Sequence, residues 1–181
     1  MILVGEMRDA ETAQIGLRAA MTGHLVFSTL HTRDAAGTLF RLVDMGTPRF
    51  MVASSVQVVV AQRLLRRVCG SCSEAHIPTP QESEWLKAEG VPPEQWGGLL
   101  HGRGCSHCNG TGYRGRSGVY EMLEMSREMV EAAAHDNATH FMQVATKHMH
   151  GKTILSRALE LMKQGRTTIA EVMRISNQVE D

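Results

Sequence analysis

The sequence lacks four features that would each have indicated a location or a function. No apolar run approaches the ~18 residues of a membrane-spanning helix, and no basic leader with a cleavage site precedes the first predicted strand, so we expect a cytoplasmic protein. The formal net charge is +0, which gives no support for binding along a nucleic acid backbone. The pattern G-x-x-x-x-G-K-[ST], which marks a phosphate-binding loop, does not occur.

The bulk composition is that of a globular protein, with 43% hydrophobic and 21% charged residues. A chain of 181 residues can hold one domain, or one and a fraction. Met1 leads straight into a strand pattern, and a natural domain seldom begins with the strand that carries its acidic site residue. We therefore expect that residues of a longer protein precede this chain.

The opening residues predict a βαβ unit. Residues 2–5 form a short apolar run typical of a strand, and residues 24–30 form a second one. Between them Asp9 can cap a helix that ends near Gly23. In parallel sheets, functional side chains gather beyond the carboxyl ends of the strands, so the residues that follow each run are candidates for a functional site.

Glu6 directly follows the first run. A carboxylate in that place can orient an attacking water or hold Mg²⁺ through its water shell. Gly5 lets a ligand approach the backbone closely, and Arg8 is a second candidate for binding a cofactor. The alternatives are a solvated strand end for Glu6 and a surface ion pair between Arg8 and Asp9.

Two histidines, His24 and His31, flank the second run, which also carries small hydroxyl residues able to donate near a phosphate: Ser28, Thr29 and Thr32. A carboxylate and a histidine at neighbouring strand ends suit the handling of a metal-bound phosphate and a water. The alternative for each histidine is a hydrogen-bonded structural side chain.

The rest of the chain outside the cysteine region predicts mostly helices. Residues 49–67 are interpreted as a helix, or as a strand turning into one, because their second half is helical in character. The other predicted elements are a helix capped by Asp34 and closed at Gly46, a short helix near residues 81–89, a strand over residues 117–125, and C-terminal helices with caps at Ser126, Thr139 and a capping box Thr168-x-x-Glu171.

All four cysteines lie in two C-x-x-C pairs, Cys69 with Cys72 and Cys105 with Cys108, separated by 32 residues. Two residues between ligand sulfurs allow one tight turn to present both thiolates to a tetrahedral Zn²⁺. Two such pairs complete the coordination and leave no open position, which is typical of a structural site. The alternative is four unligated thiols in a reducing cell.

The second cysteine pair continues as Cys105-Ser-His-Cys108-Asn-Gly110-Thr-Gly112. This segment resembles the zinc knuckles of J-domain co-chaperones, which repeat it several times, whereas here it occurs once. A non-catalytic, zinc-held module that binds proteins or nucleic acids is therefore an alternative function. It would leave the first sixty or so residues without a role.

Several motifs together resemble those of the ATPases that serve type II secretion and type IV pilus assembly. The first is GEMRDAETAQIGLRAAMTGHLVFSTLHTRDA, residues 5–35. The others are RLVDMG at 41–46, AQRLLR at 61–66, GYRGRSGVYE at 112–121 and GRTT at 165–168. The resemblance covers nearly the whole chain, and the cysteines favour the assembly and secretion branch over the pilus-retraction relatives.

The resemblance implies an α/β fold: a truncated RecA-like P-loop ATPase core with an inserted tetracysteine zinc subdomain and a helical C-terminal region. Glu6 falls in the Walker B box, and His24 and His31 fall in the histidine box near the phosphates and the subunit boundary. ATP and Mg²⁺ are the implied ligands, and Cys69, Cys72, Cys105 and Cys108 the implied Zn²⁺ ligands.

The implied division is an ATPase part at 1–68, a zinc-binding subdomain at 69–116 and a returning strand with helices at 117–181. Family members form homo-hexamers at the inner membrane, peripheral to it, and work with a membrane platform protein without direct nucleic acid contact. The family's Walker A loop lies N-terminal to the Walker B strand and is missing here. We therefore expect this fragment alone to be inactive and to bind ATP no more tightly than about 1 mM.

Overall fold

A computed structural model describes residues 1–177. Within that range the helices are α1 (Ala10–Met21), α2 (Ala35–Asp44), α3 (Arg49–Ser55), α4 (Pro80–Ala88), α5 (Arg127–Ala134), α6 (Ala138–His148), α7 (Ile154–Lys163) and α8 (Ile169–Ser176). The strands are β1 (Ile2–Val4), β2 (Val26–Ser28), β3 (Val58–Val68), β4 (Ser73–Ala75), β5 (Leu100–Gly102) and β6 (Tyr113–Glu124). Short 3₁₀ turns cover Pro93–Gly98 and Ser106–Cys108.

The chain divides into two compact units. The first comprises Met1–Ala61 and Glu121–Thr153, and the second comprises Gln62–Tyr120 and the described residues from Ile154 onward. The predicted boundaries at 68/69 and 116/117 stay a prediction. None of the helices between residues 1 and 177 is long and apolar enough to cross a membrane.

The predicted βαβ unit is confirmed in the first unit. Strands β1 and β2 run parallel, with Leu3 beside Phe27 in register, and α1 connects them. Asp9 caps α1 as predicted, accepting a hydrogen bond from the Thr12 N–H at 2.8 Å. The second strand is shorter than residues 24–30, so both histidines lie outside it.

The interpretation of residues 49–67 as a helix, or as a strand turning into a helix, is wrong, because the helix comes before the strand. The chain forms the short helix α3 first and then the long strand β3, which pairs with β6. In β3 the buried positions are Ala61 and Leu65, while Gln62, Leu64 and Arg66 between and beside them are exposed. The helix-forming tendency of Leu and Arg residues is weak compared with the pairing and burial that β6 supplies.

The helices of the first unit pack through apolar faces. The rings of Phe40 on α2 and Phe141 on α6 meet edge to face at 5.2 Å. Ser126 caps α5 as predicted, with its hydroxyl accepting from the Met129 N–H at 3.3 Å. The cap of α6 is Asn137 and not the predicted Thr139, because an Asn side chain two residues earlier satisfies the first free N–H groups.

In the second unit, β4 and β5 form a two-stranded antiparallel sheet next to the cysteines, and α4 lies between them in the chain. The predicted helix near 81–89 is α4, and Thr79 and Glu82 form a reciprocal capping box at its N-terminus. The predicted strand over 117–125 begins earlier, as β6, at Tyr113. Thr168 caps α8 as predicted, but the Glu171 side chain does not complete a box, because it bonds to arginines instead.

Candidate functional site

The ends of β1 and β2 are joined by hydrogen bonds that bring their following residues together. The Thr29 hydroxyl donates to the Gly5 carbonyl at 2.7 Å, and the Met7 N–H donates to the Thr29 carbonyl at 3.1 Å. A Cβ on Gly5 would meet no atom within 4 Å, so the backbone at this strand end is open to a ligand.

Glu6 is the centre of a polar cluster at this edge of the sheet. Arg8 donates to Oε2 of Glu6 from Nε at 2.7 Å and from Nη2 at 2.6 Å. Nε2 of His31 lies 3.0 Å from Oε1 of the same carboxylate. Hydrogen bonds from Arg8, together with the positive charges of Arg8 and of His31 when it is protonated, lower the pKa of Glu6. The structure thus brings Glu6, Arg8 and His31 together, and Arg8 pairs with Glu6 and not with Asp9.

His24 does not belong to this cluster. It precedes β2, whereas His31 follows it, so the two histidines lie at opposite ends of the strand. Nδ1 of His24 is 3.2 Å from the Thr22 hydroxyl and 3.3 Å from the Ala19 carbonyl, at the C-terminus of α1. The prediction that His24 and His31 serve one phosphate site therefore has geometric support for His31 alone.

Met7 anchors the chain between the two charged residues of the cluster. Its side chain is 7% exposed and packs against α1 at Gly16, where a Cβ would overlap the Met7 methyl group. Because Met7 points inward, its neighbours Glu6 and Arg8 both point outward, as alternation in extended chain requires. The sequence does not predict this role of Gly16. It shows a glycine inside a helix, but it does not show that the Met7 side chain packs against it.

The four cysteine sulfurs come together in the second unit. All four Sγ atoms lie within 4.8 Å of one another. The closest separations are 3.7 Å for Cys105 and Cys108, 3.8 Å for Cys72 and Cys108, and 3.9 Å for Cys69 and Cys105. A tetrahedral site with Zn–S bonds of about 2.3 Å spaces its sulfurs roughly 3.8 Å apart. The donor set and its spacing therefore fit a tetrahedral zinc ion.

Backbone N–H groups point at one of these sulfurs. The N–H groups of Cys105 and Gly112 each donate to Sγ of Cys108 at 3.2 Å. Burial alone would raise the pKa of Cys108, but these donors outweigh it and lower the pKa to about 6. Burial raises the pKa of Cys72 to about 12. A bound metal ion would bring all four groups to the thiolate form.

The glycines that follow Cys108 permit a close approach of two backbone segments. Gly110 and Gly112 both have φ +77°, in the left-handed region. A Cβ on Gly112 would overlap the carbonyl oxygen of Gly102, and a Cβ on Gly102 would overlap that of Gly112. The Gly112 carbonyl also accepts from the Cys69 N–H at 2.9 Å, which joins the two cysteine pairs.

Comparison with known proteins identifies the family. A sequence model described as "Type II/IV secretion system protein" matches residues 1–174. The chain belongs to this family. The type II secretion system protein E of Pseudomonas aeruginosa is 39% identical over 180 residues, and the type IV pilus assembly ATPase PilB of the same organism is 41% identical over 179 residues.

These alignments include 98% and 97% of this chain but only 35% and 31% of the two relatives. The chain thus spans about a third of the length of the curated relatives it matches. A putative type II secretion system protein E of Escherichia coli K12 gives the same proportions, with 37% identity over 177 residues and 35% of its length covered.

Solved structures support the fold. The pilus retraction motor PilT with bound ADP is similar with a TM-score of 0.64 and 28% identity, over 98% of this chain and 40% of PilT. The ATPase DotB of Legionella pneumophila has a TM-score of 0.61 at 20% identity, over 97% of this chain and 38% of DotB. The family member described here therefore has the α/β fold of secretion ATPases.

Two buried carboxylates are not predicted from the sequence. Glu121 is 4% exposed and Glu171 is 1% exposed. In the sequence, Glu121 stands out only as part of the GYRGRSGVYE motif, and Glu171 only as a capping residue. The sequence does hold a signal for Glu121. Val119 and Leu123 lie two residues before and after it, so all three side chains share one face of β6, and the two apolar ones are buried.

Proposed function

We propose that this chain is part of a motor ATPase that hydrolyses ATP to power type IV pilus assembly or type II secretion. Relatives named type II secretion system ATPase E and type IV pilus assembly ATPase PilB support this assignment. The observation that carries it is the 3.0 Å contact between Glu6 and His31 at the carboxyl ends of two parallel strands. That edge of an α/β sheet is where ligands bind.

In this proposal Glu6 orients the attacking water or supports Mg²⁺, and His31 contacts the phosphate region. Both oxygens of Glu6 are engaged, Oε2 by Arg8 and Oε1 by His31. A water that approaches Glu6 must therefore take the place of one of these partners. His31 is the partner held by a single contact, and its side chain is 84% exposed. We assign Gly5 to the close approach of the nucleotide and Arg8 to a charged contact with it.

We propose a different role for His24 from that of His31. It lies beyond the amino end of β2, so it does not share a water with Glu6. Its side chain is exposed and bonds to the end of α1. We propose that His24 acts at the boundary between subunits of a homo-hexamer.

The chain lacks a phosphate-binding loop, whose backbone amides and lysine supply most of the affinity for nucleotide. We propose that the 181 residues are the C-terminal part of the enzyme and are inactive on their own. ATP and Mg²⁺ then bind only where upstream residues complete the site that Glu6 and His31 begin.

We further propose that Cys69, Cys72, Cys105 and Cys108 hold a structural Zn²⁺ in a subdomain at 69–116, between an ATPase part at 1–68 and a C-terminal part at 117–181. The spacing of the sulfurs supports a four-coordinate site without an open position. The metal ion would join the two segments that carry the cysteine pairs and so stabilise this small region.

The proposed setting is the cytoplasmic face of the inner membrane. The enzyme would be peripheral there, working as a homo-hexamer with a membrane platform protein and without direct contact to nucleic acid. Motion of the ring would be passed to that partner. The names of the relatives support both pilus assembly and secretion as the machine that is served.

The test is ATP hydrolysis by the protein joined to its upstream sequence. We expect activity, and a loss of about 100-fold or more in kcat for Glu6→Gln, because the amide cannot accept a proton from water. Asp44→Asn is the matched control, an exposed acid at the end of α2 that should leave kcat unchanged. Equal activity of Glu6→Gln and the unchanged protein would contradict the proposal.

The two alternatives make different predictions in the same experiment. A non-catalytic zinc-held interaction module would show no ATP hydrolysis with any upstream sequence, while its metal content would be unaffected. A retraction motor would hydrolyse ATP and would restore pilus retraction, not assembly, in a cell that lacks its own motor. The tetracysteine cluster favours the assembly and secretion branch.

A further inference from the structure

One buried carboxylate reaches the segment that carries His31. Glu121 lies on β6 in the first unit, and only 4% of it is exposed. Its Oε1 accepts a hydrogen bond from the Ala35 N–H at 2.6 Å, although the two residues are 86 positions apart. Ala35 is fully buried, so this N–H has no access to water and needs a protein partner.

Ala35 is the first residue of α2, and its N–H is one of those that a helix leaves free at its N-terminus. Asp34 satisfies another by accepting from the Gly37 N–H at 2.6 Å. Two carboxylates therefore hold the positive end of this helix. Asp34 is local and moves with the helix, whereas Glu121 belongs to a distant strand and fixes where the helix begins.

The beginning of α2 is tied to the residue next to His31. The hydroxyls of Thr32 and Thr38 are 2.9 Å apart, and Thr38 also donates to the Asp34 carbonyl at 3.2 Å. Thr38 is 5% exposed, so this contact lies inside the unit. His31, one residue before Thr32, then reaches Glu6 at 3.0 Å. A continuous set of contacts thus runs from Glu121 through the first turn of α2 to Glu6.

We propose that Glu121 is a positioning residue for the Glu6–His31 pair, acting through the N-terminus of α2. The inference rests on the proposed ATPase function. Glu121 is buried and acts through Ala35; in this role it sets the place of the segment 31–34, and with it the distance between His31 and Glu6. A displacement of about 1 Å in such a group is enough to reduce turnover by roughly 100-fold.

The test compares Glu121→Ala with Glu121→Gln in the protein joined to its upstream sequence. The amide oxygen of Gln can still accept from the Ala35 N–H, whereas Ala offers no acceptor. We expect kcat to fall about 10- to 100-fold in Glu121→Ala, with KM for ATP within about twofold, and most of kcat to return in Glu121→Gln. Glu124→Ala, an exposed acid on the same strand, is the control and should change neither parameter.

A second readout follows the segment directly. Amide hydrogen exchange of residues 30–38 should speed up in Glu121→Ala and not in Glu121→Gln or Glu124→Ala. If Glu121→Ala does not fold, Thr38→Val breaks the Thr32–Thr38 contact with a side chain of the same shape. That variant should lower kcat in the same direction and leave Glu121 in place.

The outcomes separate this proposal from the function on which it rests. A kcat of Glu121→Ala within about twofold of the unchanged protein, or a loss that Glu121→Gln does not restore, overturns the positioning role. If Glu121→Ala does not fold, an unchanged kcat in Thr38→Val overturns it. Absence of ATP hydrolysis in the unchanged protein contradicts the ATPase function instead. In that case the amide hydrogen exchange of residues 30–38 alone decides whether Glu121 fixes this segment.

Discussion

Arg66 holds the buried carboxylate of Glu171 with three hydrogen bonds. Its guanidinium donates to Oε1 from Nε at 2.9 Å and from Nη2 at 2.8 Å, and its backbone N–H donates to Oε2 at 2.7 Å. Arg174 adds contacts from the far side at 3.1 and 3.2 Å. The guanidinium of Arg66 also lies 4.0 Å above the ring of Tyr113. Through this cluster, α8 is fixed to β3 and β6 within the second unit.

Replacing Glu171 should destabilise the second unit. In Glu171→Ala the backbone N–H of Arg66 loses its acceptor, and both guanidinium groups lose their shared partner. We expect a loss of about 2 kcal/mol in the free energy of unfolding, below the value for a fully buried pair, because the side chains of Arg66 and Arg174 are 51% and 41% exposed. Chemical denaturation followed by circular dichroism measures it.

The control for that variant is Glu160→Ala. Glu160 pairs with Arg157 at 3.0 Å on α7, but both side chains are partly in water, 56% and 40% exposed. Such an exposed ion pair contributes about 0–1 kcal/mol to the free energy of unfolding. Equal losses for Glu160→Ala and Glu171→Ala would show that burial of the carboxylate adds nothing.

The stabilising effect of Glu171 should depend on pH in the acid range. Burial alone would raise the pKa of Glu171, but the hydrogen bonds from Arg174 and Arg66 outweigh it and lower the pKa to about 2 from 4.5. A carboxyl whose pKa is lower in the folded chain stabilises the fold fully above its unfolded pKa, and loses that effect as the pH falls through the folded value. The difference in unfolding free energy between the unchanged protein and Glu171→Gln should therefore shrink between about pH 4.5 and pH 2. A difference that stays constant over this range would contradict the assignment.

Metal removal should unfold the cysteine region before the rest. We expect one zinc per chain by elemental analysis, and loss of protection from exchange in residues 69–112 when a strong chelator removes it, because the metal ion joins the two segments that carry the cysteine pairs. Co²⁺ in its place should give the visible absorption of a tetrahedral thiolate site. Cys108→Ser is the matched variant, and zinc content unchanged by it would argue against a four-cysteine site.

A methyl group added at Gly102 should weaken the same region. Its Cβ would overlap the carbonyl oxygen of Gly112, a backbone atom that cannot turn away as a side chain can. Because Gly112 also accepts from the Cys69 N–H and donates to Cys108, a shift there reaches both cysteine pairs. We expect Gly102→Ala to lower zinc affinity in competition with a chelator, while Gly97→Ala, whose Cβ would meet nothing within 4 Å, should not.

Local patterns predicted the parts of the fold that depend on neighbours in sequence. Asp9, Ser126 and Thr168 were recognised as helix caps because a cap acts on N–H groups two or three residues away. The two C-x-x-C pairs were recognised because the spacing itself is the chemical requirement. The βαβ opening followed from two apolar runs separated by one helix length.

The sequence does not predict which residues pair or form hydrogen bonds over long distances along the chain. The sequence predicts a helix, or a strand turning into one, over residues 49–67, because the partner of β3 is β6, some 50 residues away, and the local preference of Leu64 and Leu65 does not reveal that pairing. Glu121 and Glu171 were not assigned as buried for the same reason: their partners Ala35 and Arg66 are 86 and 105 positions distant. His24 and His31 look equivalent in sequence, and only the ends of β2 separate them.

Nucleotide binding by the 181 residues alone tests how the site is divided. The cluster at Glu6 offers one carboxylate, whose two oxygens already have partners, one exposed histidine and the exposed guanidinium of Arg8. None of them supplies the row of backbone N–H groups and the lysine that bind a triphosphate, Arg8 is already paired with Glu6, and a carboxylate repels the phosphates. Calorimetric titration with ATP and Mg²⁺ should therefore show no saturable binding tighter than about 1 mM, roughly −4 kcal/mol. The protein joined to its upstream sequence should bind at least about 100-fold more tightly, since those residues then lie beside Glu6. Micromolar binding to the 181 residues would mean that they contain a complete nucleotide site, and that the Glu6 cluster is not half of one.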